Sequence, residues 1–170
     1  MRYRCVRQGS FRENQRRDSR RCRASQRSLA GVNHRIELCA ADHGNDAALL
    51  ERWLANKRPE IVASWIGRPD SSLLVAVDGD GILAVGAVTN AGEITLNYVT
   101  PQAQFRGISR ALLKALEARA LERGNAQCRL HSTETAHRLY LSNGYVDSGA
   151  PARKFGMNSA YPMSKRIAPG

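Results

Sequence analysis

Residues 93–116 read EITLNYVTPQAQFRGISRALLKAL, and the fold is decided by how this stretch changes its period. Ile94, Leu96 and Tyr98 recur at every second position, with Thr95 and Asn97 between them, which is the pattern of a strand with one buried face. Pro101 breaks it. From Gly107 onward the apolar positions fall four apart, at Ile108, Leu112 and Leu116, flanked by Leu113 and Ala120. Arg110, Lys114 and Glu117 are assigned to the opposite, solvent side of this helix. The join is Gln104-Phe105-Arg106-Gly107-Ile108-Ser109, a turn entering a helix, with glycine where backbone is expected to approach something closely.

A helix start offers amides that no residue inside the helix can satisfy, together with the positive end of the peptide dipoles. Glycine beside a basic residue, with a small residue two positions on, makes a concave cluster of N–H groups suited to phosphate or diphosphate. Gln104 and Arg106 add side-chain donors and Ser109 a hydroxyl. The plain alternative is an ordinary connection in which Gly107 only relieves strain. The three spaced glycines of a dinucleotide fingerprint and the Gly-Lys-Ser/Thr ending of a nucleotide-triphosphatase loop are both missing.

The 170 residues suffice for one domain with a substantial core, and 42% hydrophobic content is ordinary for a globular chain. There is no internal repeat and no apolar run long enough to span a bilayer. The formal charge of +11 is unevenly spread. Residues 1–33 hold ten arginines against Glu13 and Asp18, a net +8, which leaves +3 for residues 34–170. The organisation expected is therefore a basic, disordered leader over 1–33 and a single domain over 34–170. The leader lacks an apolar core and is no secretory signal. Any nucleic-acid contact is expected to be weak and confined to it. Cys5, Cys22, Cys39 and Cys128 show no metal-ligand interval, so no metal is expected and the thiols read as reduced and structural.

In chain order, His34–Ala40 reads as a first strand. Two helical segments follow, one capped by Asp42 and carrying Trp53, the other starting at Pro59 and carrying Trp65. Ser72–Asp78 and Ile82–Thr89 form a hairpin about Asp78-Gly79-Asp80-Gly81, and Glu93–Val99 adds a third strand. The helix from Gly107 closes near Arg123-Gly124. Then come a strand at Ala126–His131, a helix at Glu134–Ser142, a strand from Tyr145 to Asp147 and a last strand at Met157–Ile167, with Pro162 at an interruption or an edge. The fold class is α/β, a mixed sheet with helices on its faces.

The central stretch resembles the acyl-CoA-binding motif of the GCN5-related N-acetyltransferase (GNAT) superfamily: a strand ending V-x-P, then Q/R-x-x-G-x-G/A at a helix start. Gln104, Arg106 and Gly107 follow that pattern, and Ser109 departs from it where glycine or alanine is usual. LHSTETAHRLYLSNGY, residues 130–145, is similar to the family's second motif, with Thr133 where asparagine is common and Ala136, Leu139, Tyr140, Gly144 and Tyr145 in place. YPMSKRI, residues 161–167, resembles the final strand of many bacterial members. The likeness covers roughly residues 34–167. It implies a GNAT-like acyl-CoA N-acyltransferase fold: a mostly antiparallel sheet with one splayed parallel strand pair, a β-bulge near Asn97–Val99, and flanking helices.

The resemblance further implies a cytoplasmic, acetyl-CoA-dependent N-acetyltransferase that moves an acetyl group directly to a primary amine of a small molecule or peptide. The reaction runs in a ternary complex and releases coenzyme A. A non-catalytic acyl-CoA-binding protein is the alternative. Carrier contacts are implied for Tyr98, Val99, Gln104, Phe105, Arg106, Gly107, Ile108, Ser109, Arg110, Thr133, Ala136 and Tyr140. Tyr140 is the acid for the leaving sulfur, or else only orients the carrier. Glu93 is the candidate base, with His131 or an ordered water as alternatives. Trp65, Asn97 and His131 are the acceptor-side candidates. Family members commonly pair, so a homodimer is compatible with the resemblance, and no membrane partner is implied.

Overall fold

The computed structural model describes residues 2–6, 65, 68–78, 81–154 and 157–168. The expected strand at His34–Ala40, the first expected helix and Trp53 lie outside the described residues. Trp65 is helical. Eight strands are described: β1 (Arg2–Val6), β2 (Ser71–Asp78), β3 (Gly81–Thr89), β4 (Glu93–Val99), β5 (Gln127–Ser132), β6 (Val146–Asp147), β7 (Ala152–Lys154) and β8 (Met157–Arg166). A 3₁₀ turn covers Pro101–Ala103, and two helices follow it, α1 (Ile108–Glu122) and α2 (Glu134–Leu141). The strand order is β1-β2-β3-β4-β5-β8-β6, with β7 paired to β8. Every pairing is antiparallel except β4 with β5. This is the mixed sheet with one parallel pair and flanking helices that the sequence predicts.

Two apolar clusters lie on the sheet's two faces. On the α1 face, Leu74, Ala76, Ala84, Val88, Ile94, Val99, Cys128, Leu130 and Met163 pack with Ile108, Leu112, Leu113, Leu116 and Ala120 of the helix. On the other face, Leu73, Val75, Val85, Ala87 and Leu96 form a smaller cluster, with Trp65, Val77, Ile82 and Tyr98 packed against it. Burial of the α1 stripe supplies most of the reason this helix forms here, since its own propensity would leave an isolated helix of this length marginal.

Several sequence expectations change. Ile94 does not share a face with Leu96 and Tyr98. The β3–β4 register runs from Ala87 opposite Leu96 to Val88 opposite Ile94, so Thr95 is an extra residue, a bulge that turns Ile94 to the α1 side. The bulge expected near Asn97–Val99 therefore sits earlier, at Thr95. Glu117 is not on the solvent side of α1. It is buried one turn after Leu113, and Lys165 Nζ of β8 donates to both of its carboxylate oxygens at 2.9 and 2.8 Å.

Within the leader, Arg2–Val6 pair antiparallel with β2, at the edge of the sheet among the described residues, a correction for those five residues, while residues 7–33 lie outside the described set. Pro162, finally, lies inside β8, opposite His131 of β5. Its carbonyl accepts from the Ser148 amide at 2.8 Å. The N–H that proline lacks belongs on that same side, so the ladder to β5 loses nothing.

Behind β5 lies a compact set of polar groups the sequence reading did not assemble. The Tyr145 ring meets Tyr140 edge to face at 5.7 Å, and Lys165 sits 5.6 Å above it. Burial, reinforced by the Glu117 carboxylate, pushes the Cys128 thiol from 9.0 up to about 11, and pushes the Tyr145 hydroxyl upward as well. Both groups keep their protons in the folded chain at pH values where the unfolded chain has begun to lose them. The stabilising contribution of Cys128 is complete below about pH 9 and is lost as pH rises toward 11. Replacing Cys128 with alanine should therefore flatten the fall of Tm between pH 9 and 11. A fall as steep as the parent's would contradict the thiol's part in it.

Candidate functional site

The site is built where the parallel pair comes apart. At its lower end the pair is tightly pinned. The Arg129 amide donates to the Gly92 carbonyl at 3.0 Å, and Gly92 itself has φ +76, with a Cβ there falling 2.7 Å from the Gln127 carbonyl oxygen. Only glycine fits that approach. The ladder then places Glu93 opposite Arg129 and Ile94 opposite Leu130, and it ends there. It stops at the residue before the Thr95 bulge. A bulge bends its strand and increases local twist, so β4 follows β3 through Val99 while β5 stays with β8 through Ser132. The result is a slot between the C-terminal halves of β4 and β5.

The loop over the mouth of this slot is held from both ends. The Thr100 amide donates to Leu83 O at 2.8 Å, and Ala103 is fully buried. Ile108 is buried too, anchoring the start of α1 in the core. Between them, Phe105 and Gly107 take left-handed conformations, φ 58 and 74. A Cβ on Gly107 would meet nothing within 4 Å, so the glycine serves backbone conformation and not a close approach to protein. The first hydrogen bond of α1 runs from Ala111 to the Gly107 carbonyl, so the amides of Ile108, Ser109 and Arg110 precede the intrahelical ladder. Phe105, Arg106 and Arg110 are exposed around them, and Gln104 is half-buried. The donor set fits an anion of diphosphate size: consecutive amides, a helix dipole and two guanidinium groups.

The remaining candidates divide between the two faces. Side chains alternate along a strand, so Glu93, beside Ile94, and His131, beside Leu130, point away from α1. Their Oε1 and Nδ1 atoms are 4.0 Å apart, with side chains 47% and 24% exposed. Tyr98 and Trp65 flank the apolar cluster of that same face. Tyr140 belongs to the α1 face, where it is buried in the main core and its helix begins just past the end of β5. Thr133 caps that helix, its Oγ1 accepting from the Ala136 amide at 3.3 Å, and Ser132 Oγ donates to the Thr133 carbonyl at 2.8 Å. Val99 is buried toward α1. Asn97 is also turned to the α1 side, where its Oδ1 accepts from Ser109 Oγ at 3.4 Å, so it does not join Trp65.

One further cluster near the slot was missed. The His137 ring stacks on Tyr161 at 4.3 Å, its Nε2 lies 2.8 Å from Asp147 Oδ1, and the Tyr161 hydroxyl donates to Glu134. The i, i+3 spacing of Glu134 and His137 placed those two on one helix face, but the partners come from β8 and β6. Among the described residues there is no group of three or more metal-ligating side chains, and no helix is long and apolar enough to cross a membrane.

A family model described as an acetyltransferase (GNAT) domain matches residues 39–167. No curated protein matches the chain. Among solved structures, a GCN5-related N-acetyltransferase from Rhodopseudomonas palustris is similar at TM-score 0.69 and 21% identity, over 84% of this chain and 89% of that one. The PaiA N-acetyltransferase from Thermoplasma acidophilum, in complex with coenzyme A, is similar at TM-score 0.65 and 16% identity, over 98% and 99%. Tetrahymena GCN5 is similar at TM-score 0.61 and 10% identity, over 100% and 98%. At these identities the likeness is one of fold.

Substitution at Gly107 tests the loop. Valine there should cost about 1–2 kcal/mol in urea unfolding, because an L side chain is strained at left-handed φ, while asparagine should cost visibly less. Equal stability of all three proteins would show that the turn does not require this conformation.

Proposed function

Because the chain belongs to the acetyltransferase (GNAT) domain family, we propose that it transfers an acetyl group from acetyl-CoA to a primary amine of a small molecule or peptide. The observation that carries the reading is the coincidence of two features: a parallel ladder that ends at Ile94–Leu130, and a set of helix-start amides above the gap. The amides of Ile108–Arg110, with Arg106 and Arg110, hold the diphosphate of the carrier. The parted edges of β4 and β5 receive its pantetheine arm much as a sheet receives an added strand. The carrier supplies an activated acetyl thioester at the inner end of the slot.

The two faces then have separate tasks. Glu93 and His131 lie with Trp65 and Tyr98 on the side from which an acceptor approaches. An amine must lose its proton before it attacks, and a carboxylate beside an imidazole takes that proton directly or through water. A backbone N–H of β4 beyond the bulge stabilises the charge developing on the thioester oxygen. Tyr140, from the α1 side, gives a proton to the departing sulfur. Acid and base thus stand on opposite sides of the sheet with the reacting carbon between them, and the acceptor joins while the carrier is still bound.

Free CoA thiol should appear only when both acetyl-CoA and an amine are present, with an acetylated amine found by mass. Binding of acetyl-CoA with no amine-dependent thiol release across an amine library would instead indicate a non-catalytic acyl-CoA-binding protein. Tyr140→Phe keeps the ring that packs against Tyr145, so it should leave carrier affinity unchanged and lower kcat about 100-fold or more. Unchanged turnover with chemistry rate-limiting would remove Tyr140 from the acid role.

A further inference from the structure

We propose that Asn97 positions the acyl carrier: its side-chain amide, held by Ser109, hydrogen-bonds an amide of the pantetheine arm. The inference rests on the reading that residues 106–110 hold the carrier's diphosphate. Asn97 Nδ2 is shut off from solvent and has no hydrogen-bond partner among the described residues. A buried donor left unpaired is costly and uncommon in native proteins. Turning the amide over does not remove the problem, because Nδ2 would then face Ser109 and Oδ1 would be the orphan. In either orientation one polar atom waits for a partner the described chain does not supply.

Its position says what that partner is. Asn97 lies opposite Gly86 of β3, three residues beyond the last β4–β5 pair, and so forms part of the slot wall. Its side-chain partner among the described residues, Ser109, is the second residue of α1, whose own amide precedes the first helical hydrogen bond. A chain leaving a diphosphate at that helix start and entering the slot passes this amide. The pantetheine arm carries two secondary amides, each with a C=O and an N–H, and can satisfy Asn97 in either orientation. Ser109 also acquires a reason. Glycine or alanine, usual at its place in the resembled motif, has no hydroxyl with which to hold Asn97. Asn97 touches no reacting atom, so its effect is on placement and affinity.

Calorimetric titration of the full chain with two ligands tests this: coenzyme A, and 3′-phosphoadenosine 5′-diphosphate, which has the diphosphate but no pantetheine arm. Asn97→Leu should weaken coenzyme A about tenfold, the scale of one hydrogen bond, and leave the shorter ligand unchanged. Ser109→Ala should move in the same direction by less. The ligand-free Asn97→Leu protein should melt no lower than the parent, since it has lost an unpaired donor. Unchanged coenzyme A affinity, or equal weakening of both ligands, would overturn the proposal while leaving the carrier site standing. Failure of the parent to bind either ligand would instead overturn the carrier site itself. Should Asn97→Leu not fold, Asn97→Asp keeps the size and removes the donor, and the same selective loss is expected of it.

Discussion

One extra residue, Thr95, governs the rest of the molecule. A regular β4 would carry its pairing with β5 to the ends of both strands, and a continuous parallel ladder has no room for a ligand. The bulge lets β4 remain in register with β3 while leaving β5 immediately after Ile94 and Leu130. It also sends Ile94 to one face and Leu96 to the other, so the strand contributes to both cores. Gly92 keeps the lower end closed by allowing an approach no side chain would tolerate. The slot is therefore a defined break in a sheet that stays paired on both sides of it.

The candidate site residues among the described residues are arranged about that break. Above it, Gly107 takes the left-handed turn that releases the helix-start amides from internal use. On one side, a carboxylate and an imidazole stand 4.0 Å apart on the face that also carries Tyr98 and Trp65. On the other, Tyr140 is packed edge to face on Tyr145, whose ring is flanked by the Glu117–Lys165 pair. That ion pair crosses from the middle of α1 to β8 and ties the helix to the strand that holds β5 in place. Removing either charge would leave the other poorly solvated, which is the expensive way to disturb such a pair.

Much of this was legible in the sequence, and the exceptions share a cause. The change of period at Pro101 located β4 and α1, and the glycine turn located the amide cluster, because both are local properties of the chain. Glu117 was misread because a charged side chain is assigned to solvent until a counter-charge is known, and Lys165 is 48 residues away. Its spacing of four from Leu113 was the available clue. The Thr95 bulge left no mark in the alternation of β4, since a bulge is a relation between two strands and Ala87–Val88 supply the other half. Pro162 looked like an edge residue because the strand that excuses it, through Ser148, is only found once the sheet is assembled. Arg2–Val6 alternate arginine with Tyr3 and Cys5 over too few residues to stand out in an arginine-rich stretch, and their pairing with β2 uses backbone groups that every sequence has.

The proposed chemistry requires that the break in the sheet be where the acyl carrier goes. Backbone amide chemical shifts followed during titration with coenzyme A address this directly. The largest changes should fall on Ile108–Arg110 and along both walls of the slot, at Leu96–Val99 and His131–Ser132, and fade toward the pinned end at Gly92. Changes that leave those walls untouched, or that gather at the far end of α1 around Arg123, would contradict it.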